Sequence, residues 1–77
     1  MAIKPNLITS NMANKNYSLV GVDGNAYAIM GYVKTAMKEC GHSKDEIKAY
    51  EEKAKSGDYY NLIAVSEEQI EALNEED

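Results

Sequence analysis

Two stretches of this chain hold residues able to do chemistry by type and spacing: Cys40 and His42, two positions apart, and the glycine-rich run GVDGN at positions 21–25. A Cys-x-His pair offers sulfur and imidazole donors to a metal, or a nucleophile and a base to a substrate. Neither use is completed. Structural zinc wants four nitrogen or sulfur donors, and the chain holds one cysteine and one histidine. A reactive thiol needs exposure and a lowered pKa, whereas Cys40 falls on an apolar stripe. The pair therefore reads as a core cysteine and a histidine in a capping turn, with no metal and no cofactor.

Paired carboxylates stand at positions 45 and 46, 51 and 52, 67 and 68, and 75 and 76. Neighbouring acids on a helix point roughly 100° apart, and acid/base work needs them at the wall of a pocket with separated pKa values. They read as solubilising charge, no catalytic residue is assigned, and the chain is expected to be non-enzymatic.

The stretch VGVDGNA admits a ligand. Backbone N–H groups at a helix start attract anions, and flanking glycines let a phosphate approach. It lacks the lysine of G-x-x-x-x-G-K-[ST] and the strand and acidic partner of G-x-G-x-x-G, and the Asp23 carboxylate competes with an anion. A structural cap is the leading reading. The alternative is a nucleotide ligand held at Gly21, Gly24, Asn25 and Tyr27.

Tyrosine is the other unusual feature, with six residues in a chain that has no Trp and no Phe. Tyr27 and Tyr32 lie off the main stripe of the first helix, and Tyr59 and Tyr60 sit beside a cap. Tyrosine suits half-buried interfaces, where the ring packs and the hydroxyl bonds. A partner interface is accordingly assigned to Gly31, Tyr32, Tyr59 and Tyr60. Gly31 interrupts a helix at a cost of up to about 1 kcal/mol relative to Ala, which predicts close approach there by another helix or a ligand.

The elements that must position these residues are mostly helical. Ala26, Ile29, Met30, Val33, Met37 and Cys40 follow a 3.6-residue period, Asn25 or Asp23 caps its start, and Gly41 stops it: a helix is predicted over 26–40. SKDE at 43–46 is a capping box opening a second helix whose stripe is Ile47, Tyr50 and Ala54, and Gly57 ends that segment. Asp58 caps a third segment, YYNLIAV, whose short apolar run fits a helix or a strand. Ser66 and Gln69 form a second capping box, so a helix kinks or restarts there, or a strand over 59–65 feeds a helix over 67–74; the helical reading is preferred. The expected fold is mainly α, a bundle of three to four short helices with an extended arm over 1–16 and a single helical domain over 17–77. An α+β fold with short strands near 17–22 and 59–65 is the alternative.

Seventy-seven residues hide only about 60% of the surface the unfolded chain exposes, so close helix packing or a partner subunit is expected. The net charge of −5 is uneven: residues 1–17 carry +2, 18–42 sum to zero, 43–58 carry −1 and 59–77 carry −6. There is no clustered basic run for a phosphate backbone, so direct nucleic-acid binding is not expected. The lysines alternate with acids and read as solvated helix faces. One cysteine forms no internal disulfide, and no apolar stretch approaches the roughly 20 residues that cross a bilayer; the chain is expected to be cytoplasmic and to have no membrane partner.

From Asp23 to Ile63 the chain resembles a family of small uncharacterised proteins of phages, prophages and bacterial mobile elements. The resemblance rests on the D-G-N-A-[FY] start at 23–27, a small residue near Gly31, an acidic helix of the EEI type and S-G-D-Y at 56–59. It covers about half the chain and departs after Val65, where SEEQIEALNEED is more acidic. It implies a helical fold, a mobile-element setting in a bacterial host, and no assigned chemistry. The leading functional expectation is an accessory protein that binds a host component, inhibition of a host defence system being one form of that role. The alternative is an oligomer that binds or sequesters a nucleotide signal. A partner is thus a host protein or another copy of the chain.

Overall fold

Each helix begins where a short polar side chain covers open backbone donors. The computed structural model describes residues 16–76, and its helices are α1 (Ala26–Glu39), α2 (Lys44–Ala54) and α3 (Tyr59–Glu75). Ahead of α1, the Asn25 side chain accepts from the Ala28 N–H at 2.9 Å. Ser43 and Glu46 form the predicted capping box at α2, with the Glu46 N–H donating to Ser43 Oγ at 3.1 Å and the Ser43 N–H to Glu46 Oε1 at 2.8 Å. Asp58 starts α3 by accepting from the Asn61 N–H at 2.9 Å.

The helix ends are as specific. Gly41 takes φ +86°, and the chain closes a Schellman motif in which the His42 N–H donates to the Met37 carbonyl and the Gly41 N–H to that of Lys38, each at 3.0 Å. At the α2–α3 turn, Asn61 Nδ2 donates to the Lys53 and Ala54 carbonyls. That reach brings Asn61 so near the chain that a Cβ on Gly57 would lie 2.9 Å from its Cβ, so only glycine fits.

The core is one cluster. Ile29, Met30, Val33, Ala36 and Met37 of α1 meet Tyr50 and Ala54 of α2 and Leu62, Val65, Ile70 and Leu73 of α3. Tyr17, Leu19 and Val22 of the lead segment and Ile47 of α2 pack at its margin. Every pair of helices is in contact, which makes the fold a three-helix bundle.

Three alternatives are overturned. No strand forms at 59–65, because Leu62, Val65, Ile70 and Leu73 bury together only at helical spacing. No helix restarts at Ser66, so α3 is continuous and the second capping box is absent. Ser66 is fully buried, and its Oγ lies 2.6 Å from the Tyr50 hydroxyl, which uses the side chain in the core rather than at a cap. Nor is there a strand at 17–22. Gly21 adopts φ +87° in a turn closed by the Val22 N–H and the Leu19 carbonyl, and the Asn74 amide supplies Tyr17 with the donor and acceptor of a missing strand. The Tyr17 N–H donates to Asn74 Oδ1, and Asn74 Nδ2 donates to the Tyr17 carbonyl, both at 2.9 Å. Apart from Asn16, the expected N-terminal arm lies outside the described residues.

Two expectations follow. Ser66→Ala leaves a buried tyrosine hydroxyl without its partner and should cost about 1–3 kcal/mol. Tyr50→Phe should cost less, since a helical serine can turn to its own backbone, and the double variant should fall short of the sum by at least about 0.5 kcal/mol in denaturant titrations. Simple additivity would show that the two hydroxyls do not depend on each other.

The Ser43 N–H, then the His42 side chain, hold the Glu46 carboxyl below its usual range. The folded state thus binds fewer protons than the unfolded one, and the stability this contributes is present above about pH 4.3 and lost as pH falls through the folded value. Glu46→Gln keeps the box but cannot titrate. Its melting temperature should fall less steeply than wild type on acidification from about pH 5 to about pH 3, and equal slopes would refute the assignment.

Candidate functional site

The end of the bundle where α1 and α3 begin is built from tyrosine. Side chains on a helix lean toward its N-terminus, so Tyr27, second in α1, carries its ring outward past the helix start. Tyr59 opens α3 and Tyr60 follows. Tyr27 and Tyr59 line one shallow hollow together with Met30, Leu62 and Lys55, and the Tyr59 and Tyr60 rings meet edge to face with centroids 6.3 Å apart. Tyr27 is 81% exposed, Tyr60 80% and Tyr59 46%. Tyr59 is held in place, since its hydroxyl donates to the Gly24 carbonyl.

Asn25, not Asp23, is the cap of α1. Asp23 braces it, with Oδ1 accepting from both the Asn25 N–H and its Nδ2 at 3.0 Å. The carboxylate therefore brings negative charge to the turn and occupies two of its donors. Gly21 lies in the preceding turn and Gly24 presents its carbonyl to Tyr59. Of the four residues considered for a nucleotide, three serve the turn or the cap, and Tyr27 faces the hollow instead.

The four residues considered for a partner divide as well. Tyr59 and Tyr60 belong to the exposed end. Gly31 lies one turn along α1 from Tyr27, and a Cβ there would meet nothing within 4 Å, so among the described residues none makes the close approach expected of it. Tyr32 is committed inward: its hydroxyl accepts from the Ser18 N–H at 2.9 Å, and its ring meets Tyr17 edge to face at 6.4 Å. Tyr17 is the residue that sequence reasoning passed over. Besides its backbone bonds to Asn74, it donates its hydroxyl to Glu39 Oε1 at 3.0 Å, and burial followed by that bond keeps the phenol protonated above its ordinary range. No sequence signal links positions 17 and 74.

Cys40 and His42 do not form a nucleophile–base pair. The imidazole Nε2 lies 2.8 Å from Glu76 Oε2 and Nδ1 lies 3.3 Å from Glu46 Oε1, so both ring nitrogens face carboxylates. The half-buried thiol lies 3.9 Å from the Tyr17 hydroxyl. Among the described residues, no three His, Cys, Asp or Glu side chains gather as a metal site, and no helix is long and apolar enough to cross a membrane. Set against family models, curated proteins and solved structures, the chain matches none.

The brace and the cap separate by mutation. Asn25→Ala should cost about 1 kcal/mol of stability, and Asp23→Ala clearly less, because the capping oxygen of Asn25 remains. Denaturant midpoints measure both, and an Asp23→Ala variant at least as unstable as Asn25→Ala would reverse the assignment of roles.

Proposed function

We propose that this chain is a non-enzymatic accessory protein of a phage or mobile element that docks the tyrosine end of its bundle on a host protein, and that it inhibits a host defence system by doing so. The observation that carries this reading is the grouping of Tyr27, Tyr59 and Tyr60 at one end of a small chain, Tyr27 and Tyr60 largely in solvent and Tyr59 about half exposed. Tyrosine is enriched among the residues that dominate protein interfaces, since it adds large contact area with few rotatable bonds and a hydroxyl that bonds at the rim. Tyr59 is further immobilised by Gly24, which lowers the ordering cost of association. The resemblance of residues 23–63 to mobile-element proteins supports the setting, and the lack of a paired nucleophile and base at Cys40 and His42 supports action by binding.

Tyr27→Ser with Tyr60→Ser tests the reading without disturbing the core, because both side chains are mostly exposed. The double variant should keep wild-type stability within about 0.5 kcal/mol. In quantitative affinity capture from a bacterial host lysate, at least one protein retained by the wild type should drop about tenfold or more, as expected when interface anchors are lost. Identical recovery by both forms, or no protein specifically retained by the wild type, would overturn it.

A further inference from the structure

The α1–α2 hairpin sets four lysines around one groove of about 570 Å³, although the chain as a whole is acidic. Lys34 and Lys38 come from α1, and Lys44 and Lys48 from α2. Each pair is spaced i, i+4, which places like charges side by side on its own helix, an arrangement that destabilises helices. Lys44 is also the first residue of α2, at the positive end of the helix dipole, where a cation is disfavoured.

Among the described residues, these charges are neutralised only in part. Glu51 is the one carboxylate at the groove, and it is shared by Lys55 at 2.9 Å and Lys34 at 3.3 Å. Among the described residues, Lys38, Lys44 and Lys48 have no carboxylate partner within ion-pair distance. Thirteen acidic residues are available in the chain, yet the fold sends most of them elsewhere. Local rules broken together at one place with so little internal offset mark a functional site.

From this we propose that the α1–α2 groove binds a compact anion carrying two or more phosphates, such as pyrophosphate or the diphosphate end of a nucleotide. The size of the groove lies within the range of small-molecule sites. Lysines from two sides line the groove, three of them without a carboxylate partner among the described residues, and each can act on a concentrated charge as a point cation. Half-buried Ile47 and the Thr35 hydroxyl also line the groove, offering an apolar contact and a hydrogen bond beside the phosphates. A long polyanion fits less well, because residues 59–77 carry −6 and disfavour negative charge that extends beyond the groove. The site is separate from the tyrosine end and stands or falls independently of docking there.

Isothermal titration calorimetry of the full chain at low salt, with inorganic pyrophosphate and with ADP as probes, tests this directly. One molecule of pyrophosphate per chain should bind, Lys38→Gln with Lys48→Gln should weaken it at least tenfold, and Lys53→Gln, which removes an exposed lysine paired with Glu68 outside the groove, should leave it unchanged. Equal affinity for the two probes assigns recognition to the phosphates alone, and tighter binding of ADP adds a nucleoside contact; both support the site. No binding of either probe at millimolar concentration, equal weakening by Lys53→Gln, or tighter binding of duplex DNA than of pyrophosphate would overturn it.

Discussion

The hydrogen bond between Tyr50 and Ser66 is the point on which the architecture turns. The seventeen residues of α3 must run unbroken, roughly 1.5 Å per residue, to cover both shorter helices. Ser66 stands in the middle of that run with no exposure, where an unsatisfied hydroxyl disfavours burial. Tyr50 resolves the conflict from α2, and in the same contact it buries its ring. Because the phenol is buried, its pKa is raised, although the Ser66 bond opposes that shift. One polar contact thus links α2 to the middle of α3 inside the core.

Around this centre, connections only a few residues long do most of the orienting. The Schellman turn at Gly41 and the capping box at Ser43 turn α1 into α2, and the close approach of Asn61 to Gly57 turns α2 into α3. The lead segment is drawn in by side-chain bonds, with Asn74 holding the Tyr17 backbone and Tyr32 holding Ser18. The same turns determine which surfaces are presented: tight entry into α1 and α3 leaves Tyr27, Tyr59 and Tyr60 together at one end, and the α1–α2 hairpin faces its lysines across a groove.

Charge follows the fold as well. A net charge of −5 suggests a uniformly acidic protein, but residues 59–77 carry −6, while Lys34 and Lys38 of α1 gather opposite Lys44 and Lys48 of α2. Glu51 links the two regimes: hydrogen bonds from Lys55 and then Lys34, with their positive charges, keep its carboxyl below the usual range. The surface is thus divided into an aromatic end, a basic groove and an acidic helix face, three regions that a summed charge averages away.

Local signals in the chain were enough to determine α1, α2 and the caps at Ser43 and Asp58, because a helix start is decided by side chains within three or four residues of the backbone they cover. The apolar stripe of α1 and the stop at Gly41 were legible for the same reason. For 59–75 the helical reading is preferred and is the one found, yet a short apolar run and a serine with a capping pattern leave a strand or a break open; only Tyr50, sixteen positions away, makes Ser66 a core residue. Asn74 against Tyr17, Tyr27 beside Tyr59, and Lys34 and Lys38 across from Lys44 and Lys48 are likewise absent from any local pattern. Tertiary structure alone decided them, because each depends on how helices pack, and packing brings together residues whose separation along the chain carries no signal of their nearness in space.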